Sequence, residues 1–223
     1  LIAQLWEARD LAKKAADAAL SQAVKILMNS FYGVMAAEGC RFYDARLASS
    51  ITRRGHEIIQ DSRDFLESQG FSVIYGDTDS LFVLLGSDYE EAQAAQIGEQ
   101  LAAQMNVWWT ARLREKLDLD SHLEVEFETH FLRFLMPTVR GDRTGSKKRY
   151  AGLVRKPSGD VSLIFKGLES VRTDWTPLAR GFQRELYRRV FLKEPFEAYV
   201  RELLDDMLCG KLDEQLVYRK RLR

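Results

Sequence analysis

Six residues, Tyr75-Gly76-Asp77-Thr78-Asp79-Ser80, constrain this chain more than any other stretch. They lie between two apolar runs, Phe71-Ser72-Val73-Ile74 and Leu81-Phe82-Val83-Leu84-Leu85, which read as buried strands of one hairpin. Two carboxylates at the tip of an apolar hairpin are costly unless a cation or a hydrogen-bond donor compensates them. A rigid turn of this kind presents oxygen ligands to a hard divalent cation such as Mg²⁺. Mutual repulsion between Asp77 and Asp79 also favours a cation-loaded turn.

The rest of the chain supplies the frame for that turn. Leu1 to about Lys14 reads as a helix, Ala15 to Ala19 as a tight connection, and Ser21 to Met35 as a second helix, so the first 35 residues suit an antiparallel helical hairpin. Asp44 is a plausible N-cap for a third helix, with Leu47, Ile51, Gly55, Ile58, Phe65 and Leu66 near a 3.6-residue period and Gly70 at its end. Ser87 with Glu90, or Asp88 with Glu91, has the spacing of a capping box, opening a long helix through Ile97, Leu101, Met105 and Trp108. Leu123 to Phe127 alternates as a strand should, and Phe131 to Met136 reads as another. Tyr150 to Val154 and Val161 to Phe165 pair across a Pro-Ser-Gly turn. Thr176-Pro177 places an N-cap before a proline at the first helical position, and Pro195 opens a last helix ending at Gly210. This succession predicts an α+β fold: antiparallel strands with packed helices, a helical hairpin before them and helices after them.

Composition excludes several classes. With 46% hydrophobic and 30% charged residues the 223-residue chain is that of a globular protein, and no apolar run approaches the roughly 20 residues of a membrane span. The opening at Leu1, without a basic-then-apolar leader, suggests a cut within a longer polypeptide rather than a secreted product. Cys40 and Cys209 lie far apart without metal-ligand spacing and read as buried or inert thiols of a reducing cytosol; His56, His122 and His130 read as structural or surface residues. The net charge of zero hides a division: about 16 acidic against 5 basic residues from Glu57 to Arg133, then 14 basic against 5 acidic from Arg140 to Lys193. That division suits either a cation site beside a polyanion site or simply two solvated faces of opposite sign.

A second constellation precedes the turn. Lys25, Asn29 and Tyr32 fall on one helical stripe, beside Gly33, which admits a close backbone approach. A cation, an amide and an aromatic ring so arranged suit a phosphate, a sugar edge and a base, although a merely solvated stripe would look the same. Glu124, Glu126 and Glu128 share one face of their run, either as a solvent edge or, for Glu126 and Glu128, as added negative field near the carboxylate turn.

The two constellations together resemble a known pattern. Lys25-Ile26-Leu27-Met28-Asn29-Ser30-Phe31-Tyr32-Gly33 followed by Tyr75 to Ser80 resembles the second and third polymerase motifs of the family B DNA polymerases. Lys147-Lys148-Arg149-Tyr150 is similar to that family's primer-template element, and Lys166-Gly167-Leu168-Glu169 through Trp175 to the segment leading into its thumb. Phe134-Leu135-Met136-Pro137 and the run from Gly145 to Leu153 bring the chain nearest to a bacterial member of the family.

The resemblance implies a template-directed DNA polymerase of replication and repair, transferring a nucleotide from a dNTP to a primer 3′-hydroxyl with two Mg²⁺ ions. It implies fingers in residues 1–37, palm in 38–165 and the start of the thumb in 166–223. Asp79 would be the direct metal ligand and Asp77 its neighbour at the primer end, with Glu126 and Glu128 as weaker candidates. Lys25 would reach the triphosphate; Asn29, Tyr32 and Gly33 would line the nascent base pair. Lys148, Arg149, Tyr150, Lys166 and Arg172 would touch primer-template DNA. The implied setting is cytoplasmic and free of membrane, with a sliding clamp as a partner through the rest of the polypeptide. Nothing in the chain resembles the family's first polymerase motif and its aspartate, so the 223 residues alone are expected to be inactive. The alternative is a non-catalytic DNA- or nucleotide-binding module. A reverse transcriptase fits less well, because Thr78 separates the two aspartates that such enzymes carry adjacent.

Overall fold

The computed structural model describes residues 2–86, 89–138 and 148–219. The chain divides into two compact units, Leu1–Val83 and Leu84–Arg223.

The first unit is helical apart from its closing hairpin. Helix α1 (Ile2–Lys14) packs on α2 (Ala18–Ala36), and Ala16 at φ +55 makes the reversal between them. The Asp17 carboxylate then accepts the Leu20 N–H at 2.9 Å and so caps α2. Helix α3 (Ala45–Ser68) starts as predicted: Asp44 Oδ1 accepts the Arg46 N–H at 2.9 Å, and the Arg46 guanidinium closes on the same carboxylate at 3.0 Å. These hydrogen bonds hold the Asp44 carboxyl below its usual range. Gly70, at φ +88, supplies the left-handed residue that ends the helix.

Strands β1 (Ser72–Asp77) and β2 (Ser80–Leu84) follow and pair as a hairpin against α3. They are not the buried strands that the apolar runs suggested. Along β1 exposed and half-buried residues alternate, and Ile74 is 46% exposed. A two-stranded ribbon resting on one helix covers only one of its faces.

The second unit is built on α4 (Glu91–Leu117) and a three-stranded antiparallel sheet in the order β3 (Arg133–Leu135), β4 (Tyr150–Arg155), β5 (Val161–Lys166). Ser87 and Asp88 of the expected capping box lie outside the described residues. The helix instead starts after Glu90, whose N–H donates to Gln93 Oε1 at 3.1 Å. Its buried stripe is Ala94, Leu101, Met105 and Trp109 rather than Trp108, which is half-buried under Arg112.

Leu123 to Phe127 is not a strand. Its side chains alternate in burial as the sequence predicts, yet it joins no sheet among the described residues. Asn106 of α4 replaces a neighbouring strand: its side-chain amide donates to the Val125 carbonyl and accepts the Val125 N–H, each at 2.8 Å. Phe127 lies over Gly98, where a Cβ would fall inside the ring. The strand expected over Phe131 to Met136 shortens to three residues, with Phe131 turned onto Gly152.

One face of the sheet forms the core. Ala151 and Leu153 of β4 pack with Leu168 and Phe191, flanked by Leu163, Phe165 and Tyr187. Helix α5 (Pro177–Leu192) covers that face; Thr176 caps it by accepting the Ala179 N–H at 3.2 Å, ahead of Pro177. Phe131, Phe134 and Tyr150 form an aromatic cluster, with ring centres 5.3 to 6.2 Å apart. Arg155, at the end of β4, grips Glu91 in the first turn of α4 through bonds of 2.6 to 2.9 Å. Helix α6 (Glu197–Leu208) follows, and Gly210 at φ +78 lies just beyond its end. Cys209 is exposed and Cys40 half-buried, so the first is not an interior thiol. Together these elements make the predicted α+β arrangement.

Candidate active site

The carboxylate turn is built from its backbone outward. The Asp79 N–H donates to the Asp77 carbonyl, closing a three-residue turn with Thr78 at φ +42. A β-branched residue there is uncommon and strained, and such conformations persist where the surroundings impose them, often at functional sites. Gly76 permits the approach beneath: a Cβ on it would meet Leu81 at 3.1 Å and Ile59 of α3 at 3.7 Å. Tyr75 and Phe82 brace the two strands with ring centres 5.3 Å apart.

The carboxylates emerge at the end of this scaffold. Asp77 is half-buried and receives the Thr78 hydroxyl at 3.0 Å; Asp79 is exposed and receives the Ser80 hydroxyl at 3.3 Å. Their oxygens are the hard donors that Mg²⁺ selects. They form a pair rather than a complete cage, since no group of three His, Cys, Asp or Glu side chains among the described residues is placed to hold a metal ion. Glu126 and Glu128 are exposed and belong to the second unit, on the segment fastened by Asn106.

Helix α2 carries the second group. Lys25, Asn29, Tyr32 and Gly33 are all exposed and lie on consecutive turns of it, as their spacing requires. The Tyr32 hydroxyl meets Thr52 Oγ1 of α3 at 3.0 Å, and both line an open cleft of 360 Å³ with Ser49, Arg53 and His56. Val24 is buried, whereas Ile26 and Leu27 are 57% and 50% exposed. Apolar side chains therefore flank the polar stripe on the open surface of α2.

The cationic group gathers at one edge of the sheet. Lys147, Gly145 and Ser146 lie outside the described residues. Lys148 is exposed, at φ +61, and its carbonyl presses on Gly167 so closely that a Cβ there could not be accommodated. Tyr150 and Lys166 are direct cross-strand partners, which places both on the face of the aromatic cluster. Arg149 turns instead to the Glu169 carboxylate, and Arg172 holds Asp174 at 2.6 Å. Burial alone would raise the Glu169 carboxyl, but the Gln183 amide, the backbone and Arg149 together keep it below its usual range. Sequence reasoning named Arg149 and Arg172 without their intramolecular partners. It also missed Asn106 and Gln183, whose contacts 19 and 13 to 14 residues away leave no local signal.

A family model described as DNA polymerase family B matches residues 3–218, and the chain belongs to that family. It is 56% identical over its whole length to DNA polymerase II of Escherichia coli, of which it covers 28%. It is also 33% identical over 89% of its length to a DNA polymerase of Archaeoglobus fulgidus, covering 22% of that protein. Among solved structures, the family B DNA polymerase from the hyperthermophilic archaeon Pyrobaculum calidifontis matches 95% of this chain with a TM-score of 0.53 and 25% identity. The chain thus spans about a quarter of the length of these relatives.

Proposed function

We propose that this chain carries part of the polymerising site of a template-directed DNA polymerase, which joins a deoxynucleoside triphosphate to a primer 3′-hydroxyl. The observation that carries the proposal is the strained turn at Thr78, which holds Asp77 and Asp79 at the end of a braced hairpin. Asp79, the exposed carboxylate, would be the direct Mg²⁺ ligand, and Asp77 would hold the primer end beside it. When bound, Mg²⁺ supplies charge neutralisation at the triphosphate and a more acidic primer hydroxyl.

The surrounding residues take the roles their positions suit. Lys25 would reach the triphosphate as a mobile point charge, and Asn29, Tyr32 and Gly33 would line the nascent base pair. Lys148, Tyr150 and Lys166 would follow the duplex backbone, which positions DNA without reading its sequence. Arg149 and Arg172, tied to Glu169 and Asp174, would support that edge and add their charge to it. In this scheme residues 1–37 belong to the fingers, 38–165 to the palm and 166–223 to the thumb. A cytoplasmic setting and recruitment by a sliding clamp belong to the same proposal, and rest on the likeness to the bacterial relative alone.

The pair of carboxylates favours a second reading for the 223 residues taken alone, that of a DNA- or nucleotide-binding module without catalysis. The second reading is tested by primer extension with the 223 residues alone, which is expected to give none, and the first in a full-length family B polymerase carrying this sequence. Asp79→Ala is expected to abolish nucleotide incorporation while primer-template binding persists. Near-normal turnover in that variant would remove Asp79, and with it the proposal, from the chemistry.

A further inference from the structure

Gln183 lies on α5, outside every motif in the sequence, yet it joins the two segments that bear the exposed cations. Its Nε2 donates to Glu169 Oε2 at 2.6 Å, and its Oε1 accepts the Ser170 N–H at 2.6 Å. The other Glu169 oxygen receives Arg149, which stands between Lys148 and Tyr150. The next residue of the helix, Arg184, donates to the Ser170 carbonyl at 3.0 Å, and Ser170 is fully buried. One amide therefore fastens α5 to the turn after Lys166 and, through Glu169 and Arg149, to the residues just before β4, which include Lys148. The close approach of the Lys148 carbonyl to Gly167 leaves the two segments no slack.

We propose that Gln183 is a positioning residue: its side-chain amide, bridging Glu169 and the Ser170 N–H, holds the Lys148–Lys166 edge in register for the backbone of primer-template DNA. The proposal rests on the polymerase reading above. Lysine side chains are flexible, so the fit of two ammonium groups to successive phosphates depends on where their backbones are held. Each phosphate that a protein ceases to neutralise on a duplex lowers the slope of log K against log salt by about 1. Removing both hydrogen bonds of the amide while keeping its shape isolates the effect.

The experiment uses a full-length family B polymerase carrying this sequence, with primer-template binding measured across a salt series. Gln183→Met is expected to weaken binding about fivefold near 0.15 M salt and to lower the salt slope by about 1. The nucleotide concentration for half-maximal incorporation on saturating primer-template should stay unchanged, a split that general loss of structure would not give. The exchanged pair Glu169→Gln with Gln183→Glu can still link Arg149, position 169 and the Ser170 N–H, and should restore the parent slope. That pair also decides the matter if Gln183→Met fails to fold. A folded Gln183→Met variant with parent affinity and slope would overturn the role of Gln183 alone, as would a folded exchanged pair whose slope stays low. An unsubstituted enzyme without salt-dependent primer-template binding would overturn the polymerase reading itself.

Discussion

Replacing Asn106 with leucine should release the acidic segment from α4. The wild-type amide makes two hydrogen bonds of 2.8 Å to the backbone of Val125, one given and one accepted. Leucine keeps the volume and removes both. Each bond contributes about 1 kcal/mol net, and each half-buried backbone group left unpaired costs about 1–3 kcal/mol if water cannot reach it. Partial exposure of this site favours the low end, giving a loss of about 2 kcal/mol from the second unit. That corresponds to a fall in melting temperature of roughly 4–8 °C for a chain of this size. Urea unfolding followed by tryptophan fluorescence reads the loss, because Trp109 is buried on the same helix. Hydrogen exchange at the Val125 amide should accelerate in step. Asn106→Asp, which can still accept from the Val125 N–H, should lie between leucine and the parent. A leucine variant within about 0.5 kcal/mol of the parent, with Val125 exchange unchanged, would refute the view that this amide stands in for a strand.

Two further outcomes test the second unit. Glu185 is held to about 2, from an ordinary value of 4.5, first by Arg188 and also by Arg189. A depressed carboxyl stabilises the fold fully above pH 4.5 and loses that contribution as the pH falls toward 2. Glu185→Gln should therefore cost about 1 kcal/mol at neutral pH, after discounting for solvent, and nothing near pH 2; a penalty independent of pH in urea titrations would contradict this. Gly98→Ala should cost about 1–3 kcal/mol through collision with Phe127. Phe127→Leu in the same chain should recover much of it, and equal losses in both backgrounds would show that the ring is not the obstacle.

The parts of the fold legible in the sequence were those governed by short-range chemistry. Asp44 and the Thr176-Pro177 pair are local caps, and both open helices where expected. The hairpin was fixed by two apolar runs with only Thr78-Asp79 between the observed strands. The period of Leu123 to Phe127 reported which side chains turn inward but not what the backbone edges bond to, and Asn106 took the place of a strand. Helix α4 runs through Ile97, Leu101, Met105 and Trp108 as expected, and tertiary packing rather than spacing makes Trp109, four residues after Met105, the buried ring of the pair. In the candidate site, residue types and spacing placed the two carboxylates at a hairpin turn and Lys25, Asn29 and Tyr32 on one helix, as the structure has them. The ties of Arg149 to Glu169 and of Glu169 to Gln183 depend on tertiary contacts that spacing does not encode.

A divalent cation at the Asp77-Thr78-Asp79 turn is the feature on which the proposed chemistry depends most. It can be read without relying on turnover, by replacing Mg²⁺ with Fe²⁺ in a full-length family B polymerase carrying this sequence, with primer-template and nucleotide bound. With hydrogen peroxide added as oxidant and ascorbate to return Fe³⁺ to Fe²⁺, hydroxyl radicals formed at the iron cut the backbone nearest to it. Cleavage is predicted at residues 77–79, suppressed by excess Mg²⁺ and lost in Asp79→Ala. Mg²⁺-sensitive cleavage elsewhere in the chain with none at this turn would contradict the proposed metal site.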